Sequence, residues 1–171
     1  SNIIGWTALH LKDYRYQGAY AYDKIMLVVD RLQLRDQLDE RMYNMNIDKS
    51  MFVEAVDRQT FVDALDDQRR IIVVNIQKFL DLQQAIDEAG KKLKNMRVAF
   101  LIDEIHRSNS GENNKEMINL FERLQDSFNH GGQKIYKKNL LIGFTATPSD
   151  ETLSRFGEFR SATTVPLWVP F

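Results

Sequence analysis

The run Val98-Ala99-Phe100-Leu101-Ile102, followed at once by Asp103-Glu104-Ile105-His106, decides the fold. Five successive apolar residues with two adjacent carboxylates behind them are typical of a strand buried on both faces of a parallel sheet. A second apolar run, Leu140-Leu141-Ile142-Gly143-Phe144, leads in the same way into Thr145-Ala146-Thr147-Pro148. Because open α/β sheets bind ligands at the carboxyl ends of their strands, the two polar clusters predict one shared site.

The residues after these two strands suit phosphate chemistry. Asp103 offers the oxygen ligand that Mg²⁺ prefers, and Mg²⁺ usually keeps several of its waters beside a triphosphate. Glu104 is then free to orient or deprotonate the attacking water. We expect His106 to sense the phosphate and to hydrogen-bond toward Thr145 and Thr147. The alternative is that Asp103 and Glu104 only cap the turn after a core strand.

Strand-like and helix-like stretches alternate along the chain. Apolar runs predict strands over residues 25–29, 51–56, 71–74, 98–102 and 140–144, and helical spacing predicts helices over residues 3–11, 32–45, 61–65, 80–93 and 117–128. This order predicts an α/β fold, with a parallel sheet and helices on both faces. Residues 14–22 are expected to form a mobile or partner-facing connection, residues 129–132 a turn, and Pro166 and Pro170 the start of a linker.

Composition favours one compact intracellular domain. A chain of 171 residues, 43% hydrophobic and 27% charged, suits a single substantial core. It has no cysteine, which excludes disulfides and cysteine-based zinc sites. With no signal peptide and no apolar run near the ~20 residues of a membrane span, we expect a cytoplasmic protein without membrane contact. The net charge of −1 gives no global attraction to DNA, so phosphate contacts must be local or come from other domains.

The chain resembles motifs two and three of superfamily-two helicases and translocases, at Asp103-Glu104-Ile105-His106 and Thr145-Ala146-Thr147. Further segments narrow the resemblance, in order and spacing, to the motor (R) subunit of type I restriction enzymes. These segments are Val28-Val29-Asp30-Arg31, Asp36-Gln37-Leu38, Ile76-Gln77-Lys78-Phe79, Asp103-Glu104-Ile105-His106-Arg107-Ser108, Gly143-Phe144-Thr145-Ala146-Thr147-Pro148, Leu153-Ser154-Arg155-Phe156-Gly157 and Leu167-Trp168-Val169-Pro170-Phe171. The resemblance covers nearly the whole chain and implies a RecA-like three-layer α/β/α domain with a mainly parallel sheet.

Motors of this family use ATP and Mg²⁺ and begin with a phosphate-binding loop, G-x-x-x-x-G-K-[ST], which does not occur in this sequence. In the resembled subunit that loop is often followed by a stretch like Ser-Asn-x-Ile-x-Trp-x-Ala, which residues 1–8 match. We therefore expect residues 1–171 to be the first RecA-like ATPase domain, as a fragment that starts just after the loop lysine. Ser1 is then the ATP-binding hydroxyl that ligates Mg²⁺ together with Asp103. The alternative is that Ser1 and Asn2 are an expression scar.

Three residues near strand ends are expected to bind DNA. Arg31 follows one apolar strand and Gln77 and Lys78 follow another, at positions where the family's motors touch the nucleic-acid backbone. Such phosphate contacts supply affinity without sequence recognition. The alternative for each is a solvated loop residue, and the family more usually has threonine where Asn75 stands. His10 has no companion at metal-ligand spacing and is expected to be structural or on the surface.

The leading hypothesis is the ATP-hydrolysing motor part of a type I site-specific deoxyribonuclease, which pumps duplex DNA before a separate nuclease domain cleaves it. The implied partners are double-stranded DNA, the methylation and specificity subunits, and further domains of the same chain. One of these, a second RecA-like domain, supplies an arginine to the γ-phosphate, so the isolated fragment is expected to be nearly inactive. Two alternatives remain, another superfamily-two DNA or RNA helicase, and a non-catalytic DNA- or partner-binding module with a degenerate ATPase fold.

Overall fold

The computed structural model describes residues 2–29, 35–75, 90–103, 139–145, 158–162 and 165–169. The helices in these ranges are α1 (Asn2–Asp13), α2 (Arg35–Asn44), α3 (Arg58–Asp66) and α4 (Gly90–Lys94). The strands are β1 (Arg15–Tyr16), β2 (Ala19–Tyr20), β3 (Lys24–Val29), β4 (Phe52–Ala55), β5 (Ile71–Asn75), β6 (Val98–Ile102), β7 (Leu140–Gly143), β8 (Glu158–Ala162) and β9 (Val165–Val169). The helix predicted over residues 117–128 and the turn predicted over residues 129–132 lie outside the described residues.

Five strands form one sheet in the order β4-β5-β3-β6-β7, and every neighbouring pair in it is parallel. β3 lies at the centre, where Val28 is in register with Val74 of β5 and with Ile102 of β6. Parallel neighbours require long crossover connections, and α2, α3 and α4 lie in the described connections between β3 and β6. The prediction of an α/β domain with a mainly parallel sheet is confirmed.

The two faces of the sheet are both buried, each in its own hydrophobic core. Side chains alternate along β3, so Ile25, Leu27 and Val29 contribute to one face while Met26 and Val28 contribute to the other. The first face packs against α1 and α2 through Ile4, Ala8, Met42 and Met45. The second packs against α3 and α4 through Phe61, Ala64, Leu65 and Leu93. Burial on both faces explains why the strands are continuous apolar runs rather than alternating ones.

Two stretches, residues 14–22 and the segment around Pro166, differ from the structure predicted for them. Within residues 14–22, β1 and β2 form a hairpin around Gln17 and Gly18, whose φ angles of 51° and 82° fit a two-residue turn. At the other end of the chain, β8 and β9 pair antiparallel, with Pro166 opposite Ser161. The linker interpretation of Pro166 is therefore wrong, since a proline is tolerated in a strand where its missing N–H is not needed. Pro170 lies outside the described residues.

The amino edge of the sheet, where its parallel strands begin, is closed by polar contacts to the main chain. Lys24 is only 4% exposed, and its ammonium donates to three carbonyl oxygens at and just beyond the end of α3. These are the carbonyls of Ala64 at 2.9 Å, Asp67 at 2.6 Å and Arg69 at 2.9 Å. The last carbonyls of a helix lack partners inside the helix, so Lys24 satisfies groups that would otherwise be buried without one. Burial lowers the pKa of Lys24, because the charged form loses water.

Candidate functional site

The carboxyl edge of the sheet is the row of residues at the ends of β3, β5, β6 and β7. The Asp103 N–H donates to the Val28 carbonyl at 2.9 Å, and the Phe144 N–H donates to the Ile102 carbonyl at 2.8 Å. Asp103 therefore lies beside the end of β3, and Thr145 follows the end of the strand next to β6. The predicted meeting of these two strand ends at one edge of the sheet is confirmed.

Asp103 is a carboxylate at the margin of the hydrophobic core. It is 6% exposed, although it directly follows the last residue of β6. Leu101, two residues earlier, belongs to the core beneath α1 and α2, so the alternation places Asp103 on that same face. A carboxylate removed from water in this way requires a cation or hydrogen-bond donors close by.

Arg41 of α2 supplies a cation. Its guanidinium Nη2 donates to the Oδ2 of Asp103 in an ion pair. The buried Met42 and Met45 hold this end of α2 against the sheet, which brings Arg41 over the carboxyl edge. The two side chains differ in exposure, at 32% for Arg41 and 8% for Asp103. The buried carboxylate of Asp103 is thus paired with an arginine side chain that is still partly exposed to solvent.

Sequence reasoning missed Arg41. The ion pair joins residues 62 positions apart, and helical spacing says nothing about which strand end a helix residue will reach. A basic residue in the last turn of a helix is also ordinary, since it complements the helix dipole. The one available signal was indirect, because a carboxylate directly behind a fully buried strand needs a cation from somewhere.

The carboxylate at this edge fits a divalent cation that takes most of its ligands from elsewhere. The Asp103 carboxylate already binds a positive group, the guanidinium of Arg41. Its oxygen atoms are also the kind of hard ligand that Mg²⁺ prefers. Among the described residues, no three His, Cys, Asp or Glu side chains lie close enough together to hold a metal ion by themselves. Mg²⁺ typically takes one or two carboxylates and completes its shell with water and phosphate oxygens. Asp103 is suited to be that carboxylate.

Two further polar residues share the edge with Asp103. Asn75 ends β5 and is in register with Val29 of the central strand. Thr145 follows β7 and is half-buried. The ends of β5, β6 and β7 therefore bring an amide, a carboxylate and a hydroxyl to the same carboxyl edge of the sheet.

The other residues predicted for the site lie outside the described part of the chain. They are Ser1, Glu104, His106 and Thr147, together with the predicted DNA contacts Arg31, Gln77 and Lys78. Their roles remain predictions. His10, which was expected to be structural or exposed, lies on the surface of α1 and stacks on Tyr14, with 6.2 Å between the ring centroids.

A parallel sheet between two layers of helices, with a buried carboxylate at its carboxyl edge, fits a RecA-like α/β domain. The family model described as SWI2/SNF2 ATPase matches residues 7–164. The chain belongs to the SWI2/SNF2 ATPase family, and so to the superfamily-two helicase-like ATPases. Membership implies the use of a nucleotide, typically with Mg²⁺. Within the described ranges, no helix combines the length and apolar character needed to cross a membrane.

Proposed function

We propose that this chain is the first RecA-like ATPase domain of the motor (R) subunit of a type I restriction endonuclease, which hydrolyses ATP to pump duplex DNA before a separate nuclease domain cleaves it. One observation carries the proposal, the buried Asp103 at the carboxyl edge, within the stretch Asp103-Glu104-Ile105-His106-Arg107-Ser108 that resembles this subunit. Family membership supports ATPase activity in general. The restriction assignment is supported by the segments that extend the shared helicase motifs.

In this proposal the carboxyl edge holds the nucleotide. Asp103 holds Mg²⁺, and Ser1 is its second protein ligand. When bound, Mg²⁺ neutralises charge on the phosphates. Glu104 orients the attacking water and accepts its proton. A phosphate-binding loop and an arginine from a second RecA-like domain would complete the site, because the positioning and charge stabilisation of phosphoryl transfer need both.

The same edge would couple ATP to DNA. His106 senses the γ-phosphate and hydrogen-bonds toward Thr145 and Thr147, and the adjacency of β6 and β7 supports this part of the proposal. Arg31, Gln77 and Lys78 contact the DNA backbone, which gives affinity independent of sequence. Site choice then belongs to the specificity subunit, and the methylation subunit is the other partner.

The test of the catalytic assignment uses Glu104→Gln in the full-length protein. Glutamine removes the base but leaves Asp103, so ATP binding is expected to persist while ATP hydrolysis falls by orders of magnitude. Glu54→Gln on β4, two strands away from the centre of the sheet, is the matched control and should hydrolyse ATP normally. Normal turnover by Glu104→Gln would show that another residue is the base.

The test of the restriction assignment asks which nucleic acid and which partners stimulate hydrolysis. A restriction motor should hydrolyse ATP and displace a triplex strand only on duplex DNA with an unmodified recognition site, in the presence of the methylation and specificity subunits. Stimulation by any duplex without those subunits would instead identify another DNA translocase of the superfamily. Stimulation by RNA would identify an RNA helicase.

One observation favours a second candidate, a non-catalytic binding module with a degenerate ATPase fold. The ion pair with Arg41 neutralises Asp103, and a permanent pair would deny that carboxylate to Mg²⁺. A full-length, assembled protein that binds DNA but hydrolyses no ATP would support the module.

A further inference from the structure

The geometry points to Arg41 as an exchangeable counter-ion of Asp103, which pairs with the carboxylate when no divalent cation is bound and must leave it when one binds. The inference rests on the proposed function, because it takes Asp103 as a metal ligand. It gives Arg41 a regulatory role at that site. Nucleotide-bound metal and Arg41 would then compete for one carboxylate.

The two partners differ in what holds them. Asp103 is fixed, because its N–H is bonded into the sheet at 2.9 Å from the Val28 carbonyl and its side chain is 8% exposed. Arg41 is carried by α2, and its buried neighbours Met42 and Met45 hold that part of the chain against the sheet. Its side chain is 32% exposed, four times the exposed fraction of the Asp103 side chain. Arg41 can therefore leave Asp103 without any change in the packing of β6.

Charge makes the two cations exclude each other. One buried carboxylate neutralises a single positive charge, and a guanidinium next to a divalent ion would meet strong repulsion in a poorly hydrated site. Among the described residues, Arg41 is the cation recorded on Asp103, and a buried carboxylate that lost its cation would be strongly unfavourable. Arg41 therefore compensates the charge of Asp103 before the metal arrives, and the affinity of Asp103 for the metal is lowered by the free energy needed to displace Arg41.

Mn²⁺ is the probe for this competition, because it takes oxygen ligands as Mg²⁺ does and broadens the NMR signals of nearby amides. The chain is titrated with Mn²⁺ as wild type and as Arg41→Gln, while the amide signals of Val29, Asp103 and Phe144 are followed. We expect the apparent Kd for Mn²⁺ to fall about tenfold in Arg41→Gln, which corresponds to about 1.4 kcal/mol.

Two control variants separate competition from a general change in charge. Lys49→Gln also removes one positive charge, but Lys49 is 74% exposed and pairs with Asp39 rather than with Asp103. Its Kd for Mn²⁺ should equal that of the wild type. Asp103→Asn removes the ligand, and broadening at the three amides should disappear.

The outcomes distinguish this inference from the proposed function. If Arg41→Gln binds Mn²⁺ no more tightly than the wild type while Asp103→Asn loses the response, Arg41 does not compete and the inference is overturned, but Asp103 keeps its proposed metal role. If no variant shows broadening that depends on Asp103, the inference is overturned and the metal role of Asp103 falls with it.

A second variant keeps the test valid if Arg41→Gln does not fold. Arg41→Lys retains the charge but lacks the planar guanidinium that matches a carboxylate, so it should pair less firmly. We expect a Kd for Mn²⁺ between those of the wild type and Arg41→Gln, about two- to threefold below the wild-type value. A Kd equal to that of the wild type in a folded Arg41→Lys protein would overturn the inference.

Discussion

Buried polar side chains have different kinds of partner at the two edges of the sheet. Among the described residues three polar side chains are buried, Lys24 and Asn139 at the amino edge and Asp103 at the carboxyl edge. Lys24 donates to main-chain carbonyls, and the Asn139 Oδ1 accepts from the Val98 N–H at 2.9 Å. Asp103 pairs instead with the side chain of Arg41. Main-chain partners cannot leave without local unfolding, whereas a side-chain partner can, so the contacts of the amino edge suit stability and the ion pair of the carboxyl edge suits the exchange proposed above.

The largest expected effect is a loss of ATP turnover, with little loss of stability, when the carboxyl edge is changed. In the full-length protein, Asp103→Asn should lower ATP turnover by about 10²–10³, the size of effect seen when one preorganised charge-stabilising group is lost. The free energy of unfolding should change by about 1 kcal/mol or less, because the released Arg41 is partly hydrated. ATPase assays and urea denaturation measure the two quantities. Unchanged turnover would remove Asp103 from the site.

At the amino edge we expect the reverse pattern. Lys24→Met keeps an apolar stem of similar length but leaves three carbonyls without their donor, so the free energy of unfolding should fall by about 3 kcal/mol. Lys92→Met is the matched control, since Lys92 is 45% exposed and pairs with an Asp66 that is 62% exposed. Its effect should stay below about 1 kcal/mol. Equal losses in the two variants, measured by urea denaturation, would contradict a special role for Lys24.

A smaller effect concerns how closely Gly5 of α1 packs against Met45. A Cβ added at Gly5 would lie 2.4 Å from the Cβ of Met45, so one of the two backbones must move. Gly5→Ala should therefore cost about 1–3 kcal/mol of stability, despite the better helix propensity of alanine. At Gly90 an added Cβ meets no atom within 4 Å, and Gly90→Ala should stabilise the protein by about 0.5–1 kcal/mol. Thermal unfolding of both variants gives the comparison, and stabilisation by Gly5→Ala would refute the close contact.

The smallest effect is a pH dependence at the amino edge. The Arg69 side chain and N–H donate to the Asp67 carboxylate at 2.8–2.9 Å, which holds the pKa of Asp67 below its ordinary value of 3.8. The contribution to stability is therefore complete above that value and is lost as the pH falls through the lower, folded pKa. Asp67→Asn should cost less than about 1 kcal/mol at pH 7, because the pair is partly in water. Urea denaturation at successively lower pH should show this difference shrinking, and a constant difference would contradict the assignment.

The parts of the fold that rest on local pattern could be predicted from the sequence. Continuous apolar runs at Val98–Ile102 and at residues 71–74 indicate strands buried on both faces, and the carboxylate behind the first of them marks the edge proposed as the functional site. The partners of buried charges could not be predicted, because Arg41 and Lys24 meet their partners across 62 and 40 to 45 positions of sequence. A lysine at the head of a strand gives no sign that it will be buried. The linker prediction for Pro166 was wrong for a related reason. Whether a strand tolerates a proline depends on which side of the strand is paired, and the sequence does not show this.

The central place of β3 also matters during synthesis on the ribosome. β3 pairs with β6 in a register that joins Lys24 to Val98, so one flank of this strand has no neighbour until about 70 more residues have been made. At about 5–20 residues per second, that interval lasts roughly 4–15 seconds. For that time the nascent chain carries a strand with unpaired N–H and C=O groups and six residues that are buried in the finished protein. Among the described strands of the sheet, β3 therefore waits longest for one of its neighbours, and a chaperone that covered it until β6 emerges would protect it from pairing with other chains.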